Sequence, residues 1–269
     1  MSLQRAVDDA VAATPGVRWS IAVTGGATAA HEPGRQLRTA SIGKILLLLE
    51  TARQIEAGLL DPAEPLRKSP ELAVADSGLW HLLAIDTLPV ADVAALIAAV
   101  SDNYATNVLL ARVGLGAVAE LTAALGLRQT ALNDRVRGSR APGDPRTLSN
   151  GSAGELAALM TGISRREAVS PAVSQRLDGW LATNTDLSMV AAAFNLDPLA
   201  HDSLRNKTGT DDSIRADVGY VGETAYAVLA NWDATEDATA EVMTAMRTIG
   251  AALASDLNYA PVRTSFPRS

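Results

Sequence analysis

Apolar residues return every four positions at the start of the chain, where Leu3, Val7 and Val11 mark one face of a helix ended by Pro15-Gly16. Val17 to Thr24 (VRWSIAVT) is rich in strand formers, and Gly25-Gly26 signals a turn before Ala27 to His31, so a hairpin is expected. From Ser41 to Gly58 the pattern changes: SIGKILLLLETARQIEAG is helical and almost uniformly apolar. Such a helix belongs in the interior. Alanine- and leucine-rich sequence predicts further helix from Pro89 to Leu125, at Ala153 to Met160 and at Pro171 to Thr183. Between them, Leu132 to Leu148 carries glycine, proline and arginine without periodicity and reads as a loop. Strand patterns return at Ile214 to Val221 and Thr224 to Trp232, joined by Gly222-Glu223, before a last helix from about Thr235 to Leu253.

Strands at both ends around a helical middle predict an α/β chain of the α+β type. Its antiparallel sheet is built from both chain ends, with flanking helices and an inserted all-helical lobe. Residues 1–38 and 202–269 are expected to form the sheet domain and 39–201 the helical domain, with a ligand cleft between them.

Composition narrows the chemistry. The 269 residues include no cysteine, which removes disulfides, thiolate metal sites and cysteine nucleophiles together. His31, His81 and His201 have no metal-ligand spacing, so neither a metal nor another cofactor is expected, and His81 beside Trp80 reads as ordinary packing. A net charge of −7 argues against nucleic acid or an anionic membrane as partner, since both need a basic face. The N-terminus lacks the order of a secretion signal, and the apolar run Ile45 to Leu49 is too short to span a bilayer. The expectation is a soluble monomer acting on a small molecule, cytoplasmic as the chain stands or secreted if a leader was removed.

Three short motifs carry the candidate chemistry. In Ser41-Ile42-Gly43-Lys44, residues three apart share a helix face, so hydroxyl and amine can meet. A lysine in an apolar helix is desolvated, which favours the neutral amine and suits it to accept the serine proton. Ser101-Asp102-Asn103 opens a helical run; such residues cap helices, and they also offer a proton relay and an amide contact. Lys207-Thr208-Gly209 precedes the terminal strands. Its glycine suits close approach of a ligand or backbone, and its lysine suits either a substrate carboxylate or a protected sheet edge.

Together and in this order the motifs resemble the signature of penicillin-recognising serine hydrolases, class A β-lactamases in particular. Ser101 to Gly114 resembles the helix after that family's middle motif, and Pro142 to Arg146 the end of its Ω loop, so the resemblance covers nearly the whole chain and implies a β-lactamase/transpeptidase-like fold. The resemblance also implies roles. Ser41 is the nucleophile and Lys44 its base; Ser101, assisted by Lys44 and Lys207, delivers a proton to the leaving nitrogen. The backbone amides of Ser41 and Thr210 hold the oxyanion. Asn103 and Thr210 grip the acyl-amide side chain, Lys207 with Thr208 binds the carboxylate, Gly209 belongs to the substrate-binding set, Tyr104 is a candidate for the pocket wall, and Arg215, about one residue out of register, for a second positive contact.

The departure lies in the Ω loop. The family's Glu-x-x-Leu-Asn segment positions the deacylating water, whereas Asn133 to Arg146 reads NDRVRGSRAPGDPR, with no glutamate. Thr147 stands where the family places an aspartate, and neither Asp134 nor Asp144 falls in the expected register. Acylation by β-lactams or related amides is therefore expected, with slow deacylation. A penicillin-binding protein-like peptidase or esterase is the alternative, or a ligand-binding or biosynthetic accessory protein.

Overall fold

A computed structural model describes residues 1–194 and 204–259. His201 and the expected domain boundary at 202 lie outside the described residues. Helix α1 (Leu3–Ala13) starts at Ser2, whose hydroxyl accepts from the Arg5 amide, and buries Leu3, Ala6, Val7 and Ala10. Strands β1 (Arg18–Thr24) and β2 (Ala29–His31) follow as the expected hairpin. The short strand β3 (Leu37–Arg38) leads to a 3₁₀ turn at Ala40–Gly43 and helix α2 (Lys44–Glu56). Residues Lys44 through Ala52 of α2 are all buried, the apolar run Ile45 to Leu49 carrying Lys44, Glu50 and Thr51 into the interior with it.

Next come β4 (Pro65–Arg67), β5 (Thr87–Pro89) and three helices, α3 (Val90–Val100), α4 (Asn103–Val113) and α5 (Leu115–Ala124). The helical run from Pro89 to Leu125 is thus broken twice. Ser101 takes a left-handed conformation (φ 55°) and Gly114 has φ 92°, neither compatible with a continuing helix. Strands β6 (Ala131–Leu132) and β7 (Ser149–Gly151) pair in the order β3-β7-β6, and the chain between them is the irregular loop expected. Helices α6 (Ala153–Ser164) and α7 (Pro171–Leu181) complete the middle of the chain.

The end of the described chain supplies β8 (Leu204–Asp211), β9 (Ile214–Val221), β10 (Thr224–Asn231) and α8 (Thr239–Asp256). The five-stranded antiparallel sheet runs β2-β1-β10-β9-β8, so strands from both chain ends meet at the β1–β10 pair, with Arg18 opposite Asn231. Alternation along β10 divides two cores. Tyr226, Val228 and Ala230 pack with α1 and α8, while Ala225, Ala227 and Leu229 face the helical lobe and α6. Helix α6 lies on the sheet although its residues fall within the helical segment. Strand β8 is a sheet edge, and the Ala40–Gly43 turn packs beside it. That junction builds the site.

Candidate active site

Ser41 sits in the 3₁₀ turn directly before α2. Its neighbour Ala40 has φ 48°, a left-handed conformation that costs a residue with a Cβ about 1–3 kcal/mol. A buried network holds this kink. Ser149 donates from its hydroxyl to the Ala40 carbonyl at 2.6 Å, the Thr39 and Ser149 hydroxyls lie 2.7 Å apart, and the Thr39 amide donates to the Ser149 carbonyl at 3.1 Å. Close packing is enforced at two glycines. A Cβ on Gly43 would lie 2.4 Å from Ser149 Cβ, and one on Gly209 would lie 2.3 Å from the Thr39 carbonyl oxygen. The glycine of the third motif therefore admits the backbone of the turn that carries Ser41.

Lys44 is the first residue of α2 and is fully buried. Its Nζ donates to the Ser101 carbonyl at 2.6 Å, to Ser101 Oγ at 3.2 Å and to Asn103 Oδ1 at 2.7 Å. The anticipated meeting of amine and Ser41 hydroxyl is not one of its hydrogen bonds; the amine turns to the middle motif. Burial, reinforced by the positive charge of Lys207, pushes Lys44 well below the ordinary lysine value, and Asp102 opposes this only in part.

The middle motif caps its helix, as its sequence suggests. Asp102 is the helix cap: Oδ1 accepts from the Ala105 amide at 2.8 Å, and Oδ2 from the Leu79 and Trp80 amides at 2.7 Å each. Gly78, with φ 108°, lets that carboxylate approach, since a Cβ there would be 2.3 Å from Asp102 Cγ. The cap leaves Ser101 and Asn103 to face Lys44.

Lys207, Thr208, Gly209 and Thr210 lie on β8 itself. Register puts Lys207 opposite Val218 and Gly209 opposite Ala216, on the sheet face turned to the helical lobe. Lys207 is fully buried, and burial lowers it to about 8 against the opposing pull of Asp186 and Asp217. Its Nζ donates to the Thr208 carbonyl at 2.9 Å. The Thr208 hydroxyl donates to Asp186 Oδ2 at 2.7 Å. Burial alone would raise Asp186, but hydrogen bonds from Ser188 and Thr208, with the charge of Lys207, hold it below the usual carboxylate value. Asp217 behind the strand is raised to about 6 by burial.

These elements enclose a cavity of about 430 Å³, lined by Ser41, Ser101, Asn103, Thr208 and Thr210 among others. Lys44, Lys207 and Gly209 lie behind this lining, and Tyr104 and Arg215 lie elsewhere. Tyr104 is buried in the core, donating to the Ser69 carbonyl at 2.8 Å with its ring 5.7 Å from that of Trp80. One residue beyond Asn103 turns a helical side chain about 100° away. Arg215 pairs with Thr210 but packs its guanidinium over Trp232, 5.7 Å from the ring centroid, and donates to the Asp211 and Ile214 carbonyls.

The sequence reading missed Asp186 and the arginines of the Ω loop. Val136, Arg137 and Arg140 line the cavity from the loop. Asn107 pins Val136 through both backbone groups, accepting from its amide at 2.8 Å and donating to its carbonyl at 2.9 Å. Arg137 and Arg140 converge on Asp134, each with a 2.7 Å contact to Oδ2, and Arg137 also reaches Asp144 at 3.2 Å. Among the described residues no group of three His, Asp or Glu side chains is placed to hold a metal ion. No single helix among them is long and apolar enough to cross a membrane.

A sheet made by both chain ends thus lies beside a helical lobe in which a buried lysine is bonded to a serine hydroxyl. Residues 2–257 match the family model described as the beta-lactamase enzyme family, and the chain belongs to that family. The fold is shared with solved structures over nearly their whole lengths. A β-lactamase from Sphaerobacter thermophilus is 24% identical, with a TM-score of 0.84 over 96% of this chain and 98% of that one. PBP-A is 20% identical, with a TM-score of 0.81 over 95% and 96%. A single-site mutant of the class A β-lactamase of the last common ancestor of Gram-negative bacteria is 23% identical, with a TM-score of 0.79 over 96% and 99%. No curated protein shows significant similarity to the chain.

Proposed function

We propose that the protein is a serine hydrolase acylated at Ser41 by β-lactams or related amides, and that it releases the acyl group slowly. One observation supports this reading above the rest. The lowered amine of Lys44 is bonded to Ser101 and Asn103 on the floor of the cavity that Ser41 lines. A neutral Lys44 takes the Ser41 proton as Oγ attacks the carbonyl, with the backbone amides of Ser41 and Thr210 as oxyanion donors. Ser101, bonded to Lys44, passes that proton to the leaving nitrogen as the C–N bond breaks. Asn103 contacts the acyl amide, and Lys207 attracts the substrate carboxylate.

Slow release follows from the Ω loop. Its two carboxylates are engaged by arginines, Asp134 by Arg137 and Arg140 and Asp144 by Arg137. Asp186, held below its usual value, is a poor base. Loss of a general base typically lowers rate about 10²–10⁴-fold. The same feature favours, as a second reading, a peptidase or esterase whose natural acyl group is released more readily. PBP-A, a fold neighbour, has been captured as a leucine-to-glutamate mutant in an acyl-enzyme complex with penicillin G.

Intact-mass spectrometry after mixing with benzylpenicillin tests the proposal. An adduct of the whole penicillin should form on Ser41, persist, and be absent from Ser41→Ala. Rapid return to the free mass refutes slow deacylation, and absence of any adduct refutes the nucleophile assignment. If D-Ala-D-Ala peptides or p-nitrophenyl esters turn over while the penicillin adduct persists, the second reading is favoured.

A further inference from the structure

The Ω loop has a charge opposite to that of the chain. From Asp134 to Arg146 it carries four arginines against two aspartates, a net +2 within a protein of net −7. Two of the four, Arg137 and Arg140, line the cavity. Both are fixed by one buried carboxylate. Arg137 donates to Asp134 from Nε and Nη2, whereas Arg140 uses only Nη1, which also donates to the Pro145 carbonyl at 2.7 Å. Among the described residues, no hydrogen bond occupies Arg140 Nε and Nη2 or Arg137 Nη1. The clamp therefore holds two guanidinium groups rigidly while leaving several N–H donors available.

The loop's position identifies which part of a substrate it meets. Asn103 and Asn107 lie four apart on α4 and so share one face. Asn103 reaches Lys44, and Asn107 fixes Val136, the residue before Arg137. The arginines therefore line the cavity on the α4 side, where Asn103 also lines it and where the proposed function puts the acyl amide, while Thr208 and Thr210 of β8 line it as well. Of the carboxylates lining the cavity, Asp186 and Asp211 belong to the strand side, and Asp76 is exposed to solvent.

Building on the acyl-serine reading above, we infer that Arg137 and Arg140 select substrates bearing a second anionic group on the acyl side chain, in addition to the carboxylate facing Lys207. The preferred substrate class is thus a dianionic amide. Planar guanidinium donors match a carboxylate in geometry as well as charge.

Two penicillins that differ by a single carboxylate provide the test: benzylpenicillin and its α-carboxy derivative. Their second-order rates of Ser41 acylation, read by intact mass, should favour the dianion about tenfold, the order expected of one charge-assisted hydrogen bond. Raising salt should reduce the ratio. Arg140→Gln should lower it, and the double variant that adds Arg137→Gln should bring it close to one, whereas Arg140→Lys retains most of it. Asp134 keeps Arg137 in the single glutamine variant, and a matching thermal transition confirms an intact loop. Equal wild-type rates overturn the inference, as does a variant that slows both penicillins by the same factor. If neither penicillin labels Ser41, the acyl-serine reading itself fails and this inference fails with it.

Discussion

Two fully buried amines lie behind residues that line this cleft, Lys44 bonded to Ser101 and Asn103 and Lys207 bonded to the Thr208 carbonyl, and their surroundings differ. Lys44, on the helical floor, bonds to a hydroxyl, a carbonyl and an amide oxygen. Lys207, on the strand wall, lies under the influence of Asp186 and Asp217. Burial lowers both, but the carboxylates pull Lys207 back to about 8, while Lys44, further lowered by Lys207, falls well below the ordinary value. On the proposed reading the same residue type serves two tasks, a proton acceptor on the helical side and a cation on the strand side. The difference arises from what surrounds each amine, since their burial is equal.

Removing the acceptor should have the largest effect. Lys44→Met should reduce the rate of Ser41 acylation by benzylpenicillin about 10²–10⁴-fold, the usual size of a general-base contribution. A variant within tenfold of wild type would show that another group takes the serine proton. Lys207→Ala should cost about 10- to 100-fold in acylation efficiency, from the roughly 1.5–3 kcal/mol of a hydrogen bond to a charged group. Because the role of Lys207 depends on its charge, efficiency should also fall as pH rises through about 8. Lys207→Arg stays protonated and should move that alkaline fall upward; a limb left unmoved would assign it to another group.

Stability provides a third, smaller contrast. A lysine whose folded value is depressed binds fewer protons in the native state than in the unfolded chain, so stability rises with pH up to the ordinary value of 10.5. Lys44→Met removes that dependence, and its melting temperature relative to wild type should be most favourable in acid and decline towards pH 10.5. Lost hydrogen bonds to Ser101 and Asn103 shift this difference by a roughly constant amount. For Lys207→Met the corresponding slope should be confined to about pH 8 to 10.5, worth on the order of a few kcal/mol. Differential scanning fluorimetry across pH reads both slopes, and two flat differences would mean that neither amine is depressed.

Most of the fold was legible because its signals are local. Strands at both termini, the uniformly apolar α2 and the two final hairpin strands stand in the sequence within a few residues of their observed limits. The three motifs were legible for the same reason, each occupying three or four consecutive positions. What depends on the third dimension was not. Nothing in Arg137 and Arg140 announces that Asp134 will hold them at the cleft, and Asp186 lies too far from Thr208 in sequence to be paired with it. Tyr104 shows the opposite error: adjacency to Asn103 suggested the pocket, but rotation along α4 sends its ring to Trp80.

Arg215 is the sharpest case, because its cross-strand partner Thr210 lines the cavity while its own guanidinium packs on Trp232. Its neighbours Ala216 and Val218 face the helical lobe, whereas Arg215 and Asp217 stand opposite Ala230 and Val228, whose packing is with α1 and α8. Its guanidinium accordingly rests on Trp232, and a cation over an aromatic ring contributes about 0.5–1 kcal/mol at an exposed site. Arg215→Ala should therefore lower stability by about that amount while changing Ser41 acylation less than about twofold, the opposite balance to Lys44→Met. Urea titration and the penicillin adduct rate separate the two quantities. A large loss of acylation with unchanged stability would mean that the arginine swings into the cleft when substrate arrives, and that the strand register does not decide its role.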